Sequence, residues 1–306
     1  MKETYLNRTV IVGFQSARPM KRIIQVEIGF FLLIIAVFFA WVSSVLSQDN
    51  SIDEEVESFQ AFFLERFYSV SLEEFNQGPY SLPQSASKES TFHFLEQLPP
   101  YMHALFPARS DWNRNYNGIT LKNCMSQHPP ANRFPYVLDD QIISVENAIL
   151  ACLKLQGRSS VKVGSSLLSA LVAVFREQSR GSPIQIDWVN EKLKYMYQEG
   201  YRIFWGRRGQ YNYSCASCHV SNAGNTMGNE VISAALGHTS AFPVYSQARL
   251  FQTGNGWITL HEQYQRCFSR TGAVAPPFGD QRLLALEIYQ TLNDLSIPLN
   301  APQSRL

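Results

Sequence analysis

The chain has 306 residues, of which 45% are hydrophobic and 17% charged, and its 26 basic and 25 acidic side chains leave a formal net charge of +1. This balance argues against a strongly basic nucleic-acid-binding protein and against a disordered chain of one charge sign. Glycine and proline counts of 17 and 15 exclude a collagen-like or low-complexity protein, and the length suits about two globular domains.

An apolar segment near the N-terminus predicts export from the cytoplasm. Residues 28–42 are almost continuously apolar, follow a basic pair that begins at Lys21, and precede small residues typical of a signal-peptidase site. The pattern favours a secretory signal that occupies residues 20–47 and is cleaved. A retained membrane anchor is the alternative. Met20 offers an alternative start that would exclude residues 1–19. In either case we expect the remainder to work in the periplasm, where cysteines can pair.

Helical periodicity recurs along the rest of the chain, without sustained alternation of apolar and polar residues. An apolar stripe from Val56 predicts a first helix before the breaker Gly78–Pro79. Ser144 is a typical N-cap for a helix that carries Cys152 on an apolar face. We therefore expect a mostly α-helical fold with long loops. Further helices are predicted from the stripes Leu168, Leu171, Val172 and Phe175; Leu193, Met196, Tyr197 and Phe204; Leu260, Tyr264 and Cys267; and Leu284, Ile288, Leu292 and Leu295.

The two halves of the chain share an ordered set of features that suggests an internal repeat. In each half a cysteine region is followed by a Phe–Pro dipeptide, a helix that carries a cysteine, and a further apolar helix. The order of these features predicts two duplicated domains, 51–185 and 186–306. The dipeptides and helix cysteines are Phe134–Pro135 with Cys152 in the first half and Phe242–Pro243 with Cys267 in the second.

The sequence CASCH, from Cys215 to His219, is the C-x-x-C-H attachment motif of c-type haem. Two thiols at this spacing reach the two vinyl groups of one porphyrin, and the histidine supplies a nitrogen ligand to the iron. A redox-active dithiol would need a βαβ setting, which the sequence does not indicate. We predict one covalent haem c on Cys215 and Cys218, with His219 as the proximal ligand.

The first half has Cys124 and His128 in the corresponding region but lacks a second cysteine at the motif spacing. We therefore expect the first domain to hold no covalent haem. Cys124 and Cys152 are then expected to form a disulfide, worth about 3 kcal/mol in the chain-entropy treatment. Two separate buried thiols are the alternative.

Four residues after the motif are candidates for the sixth ligand of the iron: Met227, His238, His261 and Cys267. Met227 follows the motif so closely that little chain is left to reach the distal face. His238 follows a glycine and equally suits a loop position with satisfied hydrogen bonds. Cys267 has no disulfide partner, and coordination to ferric iron would lower its thiol pKa. An inert buried thiol is the alternative for Cys267.

Three segments of the chain resemble the SoxA family, the c-type cytochrome subunits of the SoxAX complexes of bacterial sulfur oxidation. The resemblance is strong over about 190–306 and weaker but collinear over about 55–185. The segments are RRGQYNYSCASCH at 207–219, LGHTSAFPVY at 236–245 and IPLNAP at 297–302.

The resemblance implies two cytochrome c-like domains in tandem, the first haem-free with a disulfide between Cys124 and Cys152. It also implies that Cys267 is both the distal iron ligand and the reacting sulfur, which carries a cysteine persulfide. The implied activity is that of an L-cysteine S-thiosulfotransferase. Thiosulfate is joined oxidatively to a cysteine of the carrier protein SoxYZ, and electrons leave through the haems of this chain and of a SoxX-like cytochrome.

The sequence departs from the family close to Cys267. Gln263 stands where the family has an arginine, and Arg266 stands where a glycine is usual. Arg266 and Arg270 would favour a thiolate and attract anions, and they are candidates to replace the missing cation, although they project differently from a helix. If neither replaces it, the alternative is a periplasmic electron-transfer cytochrome that has lost the transferase step.

Overall fold

The computed structural model describes residues 52–83, 86–228 and 230–305. The expected early start at 1–19 and the export segment at 20–47 lie outside the described residues. Residues Glu54–Leu306 form one compact unit. None of the helices in the described ranges has the length and hydropathy needed to cross a lipid bilayer.

Helices make up most of the first half, with one short antiparallel hairpin between them. The hairpin pairs β1 (Tyr136–Leu138) with β2 (Gln141–Ile143). Short 3-10 segments occupy Glu73–Ser81 and Ala131–Arg133. The helices are α1 at 52–66, α2 at Ala86–Gln97, α3 at Met102–Asn113, α4 at Leu121–Met125, α5 at Val145–Leu155 and α6 at Ser166–Glu177.

Helices also dominate the second half, and its strands are short. Strand β5 (Val244–Ser246) pairs antiparallel with β6 (Trp257–Ile258) and parallel with β7 (Gln303–Arg305), while β3 (Thr226–Met227) pairs with β4 (Glu230–Val231). The helices are α7 at Glu191–Trp205, α8 at Cys215–His219, α9 at His238–Ala241, α10 at Gln247–Thr253, α11 at Leu260–Arg270 and α12 at Gln281–Asn293.

The prediction of a mostly α-helical chain is confirmed, and polar caps explain where several helices begin. Ser144 Oγ accepts a hydrogen bond from the Asn147 amide at 3.2 Å, which satisfies one free amide of the first turn of α5. Asp280 caps α12 in the same way. That helix ends at Asn293, so Leu295, which the apolar stripe includes, lies beyond its end.

The core of the second half is the contact between α7 and α12. Gly200 lies at the crossing, where an added Cβ would stand 2.1 Å from the Ala285 carbonyl oxygen. The absence of a side chain therefore allows the two helices to approach closely. Tyr289 of α12 packs against Phe204 and Tyr197 of α7, with ring centroids 5.1 Å apart in both pairs.

Corresponding helices in the two halves place their cysteines at equal distances from the cap. Thr120 caps α4 and Ser214 caps α8, and Cys124 and Cys218 each stand four residues after their cap. By this register Met125, and not His128, takes the position of His219. His128 lies beyond α4, which ends at Met125.

The second pair of helices repeats the pattern. Ser144 caps α5 and Thr259 caps α11, and Cys152 and Cys267 each stand eight residues after the cap. In each half, the Phe–Pro dipeptide has a cis peptide bond and leads into a short strand. The two cysteine-bearing helices of each half thus occupy comparable positions in the chain.

Candidate functional site

The C-x-x-C-H segment forms helix α8, and a reciprocal cap fixes its start. Ser214 Oγ accepts from the Ser217 amide at 3.0 Å, and Ser217 Oγ accepts from the Ser214 amide at 3.1 Å. The helix packs against α7. The thiols of Cys215 and Cys218 are not in disulfides, so both remain available for covalent attachment.

His219 ends this helix and uses one ring nitrogen to contact the protein. Its Nδ1 lies 3.0 Å from the Ser233 carbonyl oxygen, which can only accept, so the ring proton is on Nδ1. Among the described residues Nε2 has no hydrogen-bond partner, which leaves its lone pair available to a metal. Burial lowers the pKa of His219 and favours the neutral imidazole that a ligand requires.

His238 lies beside His219 and is excluded as the ligand on the opposite face of a haem. The two ring centroids are 4.6 Å apart with an interplanar angle of 81°, which leaves no space for a porphyrin between them. Both nitrogens of His238 have partners. Nε2 lies 2.7 Å from Ser233 Oγ and Nδ1 lies 3.1 Å from the Gln290 amide nitrogen.

The structure also removes two other candidates for the distal ligand. His261 is buried, with Nε2 3.0 Å from Glu287 and Nδ1 3.8 Å from Glu146. Burial lowers the pKa of His261, but the two carboxylates outweigh it and raise the pKa overall, so both nitrogens serve the ion pairs. Met227 lies in β3 and is 51% exposed, away from the buried site.

Cys267 is the remaining candidate, and its thiol interacts electrostatically with the motif cysteines. It lies on α11, is partly buried and forms no disulfide. Burial raises the pKa of Cys215 to about 12, and Cys267 contributes to the increase. The Cys218 thiol in turn raises the pKa of Cys267. Cys267 therefore lies within electrostatic range of both motif cysteines.

Two successive side-chain hydrogen bonds on α11 lead to the Cys267 sulfur. Gln263 Nε2 donates to Sγ at 3.6 Å, and Arg266 Nη1 donates to Gln263 Oε1 at 3.5 Å. Burial raises the pKa of the Cys267 thiol, whereas Arg270, the Gln263 amide and Arg266 lower it. Gln263 thus contacts the sulfur from the position of the expected arginine, and the cationic groups stand farther away.

The surroundings of Cys267 carry excess positive charge. Burial lowers the pKa of Arg266, and the neighbouring guanidinium groups of Arg270 and Arg249 lower it further. Arg249 is paired with Glu262, whose carboxylate neutralises it. Arg266 and Arg270 form no ion pair with a described residue, so their charge is available to an anion.

A cavity of about 440 Å³ opens between the loop before α8 and the end of α11. The guanidinium of Arg208 lies 5.0 Å from the Phe268 ring at its wall and lowers the pKa of Cys215, although burial raises that pKa more. The cavity therefore lies beside the residue that follows Cys267 on α11, and none of the three cysteines lines it. Its lining residues are Ile203, Arg208, Gly209, Phe268, Gly272, Ala273, Val274 and Arg282.

The first half uses its two cysteines differently. Cys124 of α4 and Cys152 of α5 form a disulfide, with their Cα atoms 5.9 Å apart. In α4 and α5 the cysteine stands the same number of residues after the N-cap as in α8 and α11, respectively. The bridge leaves the described part of the first half without a free thiol to attach a porphyrin.

The second-half groups suit a c-type haem. Two thiols at attachment spacing adjoin a neutral imidazole with a free Nε2, and a further thiol lies within electrostatic range of them. Imidazole and thiolate are both established axial ligands of haem iron, and the protein tunes them through hydrogen bonds such as those to Ser233 and Gln263.

Sequence reasoning did not identify Ser233 and Gln290 as part of this site. Both are ordinary polar residues, and Gln290 lies in a helix whose apolar stripe describes only the core. The family-like segment around His238 pointed to the neighbourhood but gave no partner for the ring. Only the packing of α12 against α9 brings Gln290 to His238.

Comparisons with known proteins agree with this picture. A scan against family models finds no match. The chain is similar to the L-cysteine S-thiosulfotransferase subunit SoxA of Chlorobaculum thiosulfatiphilum, with 30% identity over 293 residues that cover 94% of this chain and 100% of the relative. It is also similar to the subunit SoxA of Allochromatium vinosum, with 29% identity over 259 residues that cover 83% and 90%.

One solved structure has the same overall arrangement. The crystal structure of SoxXA from P. pantotrophus matches with a TM-score of 0.63 and 22% identity, over 71% of this chain and 84% of that one. At this identity the match supports the fold. The sequence similarity, which extends over the full length of the Chlorobaculum relative, defines the family.

Proposed function

Because the chain belongs to the SoxA family, we propose that it is the haem-bearing subunit of an L-cysteine S-thiosulfotransferase that acts in thiosulfate oxidation. The observation that carries the proposal is the position of Cys267. Its sulfur is not bridged, is partly buried and interacts with both motif cysteines. A thiol in this position suits both iron coordination and sulfur transfer.

One haem c is the proposed cofactor. Cys215 and Cys218 would hold it covalently, and His219 Nε2 and Cys267 Sγ would be the two protein ligands of its iron. Bound there, the haem supplies a one-electron acceptor. Ser233 supports this assignment, because its carbonyl accepts the Nδ1 proton of His219 and so directs Nε2 away from the protein.

The proposed substrates are thiosulfate and a cysteine of a SoxYZ-like carrier protein. First, the sulfane sulfur of thiosulfate bonds to the Cys267 sulfur, in a step that releases one proton from the thiol and two electrons. The carrier thiolate then attacks the sulfane sulfur, and the bond to Cys267 breaks. The carrier leaves with an S–S–SO₃⁻ group, and Cys267 regains its thiolate. A SoxX-like cytochrome receives the two electrons in succession.

Polar groups on α11 prepare the sulfur and attract the anion. The Gln263 amide donates to Sγ and so favours the thiolate. Arg266 fixes the orientation of that amide, and Arg270 lowers the thiol pKa. We propose that these two arginines supply the charge that the family places at position 263, and that they bring the thiosulfate dianion to Cys267.

We also propose that the chain contains two cytochrome c-like domains, 51–185 and 186–306. The first is haem-free, since Cys124 takes the position of Cys218 and bonds to Cys152 instead of a porphyrin. The spacing from the N-cap to the cysteine is the same in the paired helices of the two halves, which supports this assignment. The disulfide also supports work in the periplasm, because such bonds persist in oxidising compartments.

A plain electron-transfer cytochrome is the second candidate. Gln263 favours it, because a neutral amide stands beside the sulfur where the family has a cation. Under this alternative the same residues hold the haem, but Cys267 forms no bond to thiosulfate.

The deciding experiment uses the holoprotein with its SoxX-like partner, thiosulfate, a reduced SoxYZ-like carrier and an electron acceptor. Intact-mass measurement follows the addition of thiosulfate to the carrier cysteine. We expect addition with the wild type and a loss of at least about 100-fold with Cys267→Ala, as is usual when a nucleophile is removed. Unchanged activity of the variant would reject the transferase role of Cys267. Electron transfer without any carrier adduct in the wild type would support the alternative.

A further inference from the structure

A continuous chain of hydrogen bonds connects α11 to the imidazole of His219. The Tyr264 hydroxyl donates to Gln290 Oε1. Gln290 Nε2 donates to His238 Nδ1 at 3.1 Å, and His238 Nε2 lies 2.7 Å from Ser233 Oγ. Ser233 in turn accepts the His219 Nδ1 proton on its carbonyl oxygen at 3.0 Å. Ser233 thus contacts His219 Nδ1 with two atoms, its carbonyl oxygen and, at 3.4 Å, its hydroxyl oxygen, so the contacts run without a break from Tyr264 to His219.

The chemistry of the partners fixes the direction of the chain. Tyr264 donates to the amide oxygen of Gln290, so the amide NH₂ must face His238. His238 Nδ1 therefore accepts, and the ring carries its proton on Nε2. That proton is donated to Ser233 Oγ. His238 is consequently a neutral imidazole in a single tautomer. Its Nε2–H group holds the Ser233 hydroxyl in place.

His238 is itself held in place by the fold. Asp294 accepts from the Gly237 amide at 2.7 Å and from the Thr239 amide at 2.8 Å, on either side of the histidine. Arg176 of α6 donates to the Thr239 carbonyl. Gly237 has φ of 85°, and an added Cβ would lie 2.2 Å from the Phe75 carbonyl oxygen. These contacts allow the His238 ring little freedom relative to Ser233.

The opposite end of the chain begins on the helix that carries Cys267. Tyr264 stands three residues before Cys267 on α11 and is buried. The hydrogen bonds thus link the helix of the proposed distal ligand with the carbonyl that orients the proposed proximal ligand. A direct bond from His238 to His219 is not part of the chain, so His238 acts through Ser233.

We propose that His238 is a positioning residue for the haem ligand His219. By holding Ser233, it fixes the orientation of the His219 ring and the strength of its Nδ1–H bond, and it couples both to α11. The inference rests on the proposed function in that His219 binds the haem iron. A stronger Nδ1–H bond makes an imidazole more basic, which stabilises ferric iron and lowers the reduction potential.

The test measures the midpoint potential and the ferric electron paramagnetic resonance spectrum of the purified holoprotein. His238→Leu removes the donor to Ser233, whereas His238→Gln can return an amide N–H to it. Ser233→Ala removes the hydroxyl, which contacts both His238 Nε2 and His219 Nδ1, but leaves the carbonyl that accepts the His219 proton. His128→Leu is the matched control, because His128 bonds through Nδ1 to the Tyr136 hydroxyl at 2.7 Å, outside this chain.

We expect His238→Leu and Ser233→Ala to raise the potential by a similar amount, on the order of tenfold in the reduction equilibrium, or about 59 mV for one electron. The double variant should shift no further than Ser233→Ala alone, because that substitution already removes the hydroxyl through which His238 acts. His238→Gln should stay close to the wild type, and so should His128→Leu. The electron paramagnetic resonance spectra should change in His238→Leu and in Ser233→Ala.

Potentials and spectra of His238→Leu and Ser233→Ala that match the His128→Leu control would overturn the inference. So would a His238→Gln shift as large as that of His238→Leu, since the restored donor would then have no effect. A pyridine haemochrome spectrum keeps the two proposals apart. A wild type without covalent haem rejects both, while a haem whose potential ignores these variants rejects only the role of His238.

Discussion

Gln263 and Cys267 lie one turn apart on α11, with the amide nitrogen of the first 3.6 Å from the sulfur of the second. Arg266 contacts the amide oxygen of the same glutamine at 3.5 Å. This contact directs the NH₂ group toward the sulfur, since the oxygen is held by a donor. The position that the SoxA resemblance assigns to a cation is thus filled by a neutral donor with a cation behind it.

Arg270→Gln is expected to raise KM for thiosulfate about tenfold, with a smaller effect on kcat. Arg270 lowers the Cys267 pKa more than the other groups around the thiol do, and it has no carboxylate partner among the described residues. Loss of one cation weakens the attraction of the thiosulfate dianion, and a tenfold rise in KM corresponds to about 1.4 kcal/mol. Steady-state kinetics at low ionic strength measure it.

Arg202→Gln is the control for that prediction, because Arg202 is a surface residue paired with Glu199. It should leave KM unchanged. The effect of Arg270→Gln should also shrink as salt is added, since exposed charges are screened. Equal KM values for the two variants would show that Arg270 does not attract the substrate.

Removal of the Cys124–Cys152 disulfide is expected to lower the free energy of unfolding by about 3 to 4 kcal/mol, because the bond closes a loop with a sequence separation of 28. The variant is Cys124→Ala combined with Cys152→Ala, measured by urea unfolding. Covalent haem content should remain that of the wild type, since the motif cysteines lie in the other half. A change below about 1 kcal/mol would contradict the loop-closure argument.

Gly200→Ala is expected to destabilise the protein by about 2 to 3 kcal/mol, as overpacking of a tight core contact does. The added methyl group would lie 2.1 Å from the Ala285 carbonyl oxygen and 2.5 Å from Tyr289 Cβ. Alanine has the higher helix propensity, so an isolated helix would gain about 1 kcal/mol from the same change. Thermal unfolding measures the effect, and Tyr195→Ala, at a 63% exposed site on the same helix, is the control. A stabilised Gly200→Ala variant would show that α7 and α12 do not cross at this point.

Asp294 is expected to make stability depend on pH. Burial raises its pKa to about 7, against the lowering effect of its donors Thr239 and Gly237 and of Arg176. In an unfolded chain the pKa of aspartate is about 3.9, so the native state binds the proton more tightly. The stabilisation is therefore complete below about pH 4 and is lost as the pH rises through about 7.

The measurement compares the urea unfolding of the wild type with that of Asp294→Asn between about pH 4 and pH 8. The wild type should lose stability relative to the variant by up to about 1.4 kcal/mol per pH unit below about pH 7, and the difference should level off above it. A difference that stays constant over this range would mean that Asp294 remains ionised in the folded protein at acid pH.

Much of the local structure followed from the sequence because the signals are local. Ser144 caps its helix as expected, since its hydroxyl needs only the Asn147 amide three residues later. The stripe of Leu260, Tyr264 and Cys267 likewise lies on one helix, α11, because helical spacing is a short-range signal. Leu295 was expected in the last helix by its apolar spacing but lies beyond Asn293, where α12 ends.

The sequence by itself determined the helical class of the chain and the C-x-x-C-H motif, because both depend on short-range spacing. The roles of four candidate ligands stayed open, since nothing in their spacing tells which face of a haem they reach. Tertiary structure decided that His238 lies beside His219, that His261 is held between two carboxylates, and that Cys267 comes within electrostatic range of the motif cysteines. These distances depend on how α11 and α12 pack, and packing arises from contacts between residues far apart in the chain.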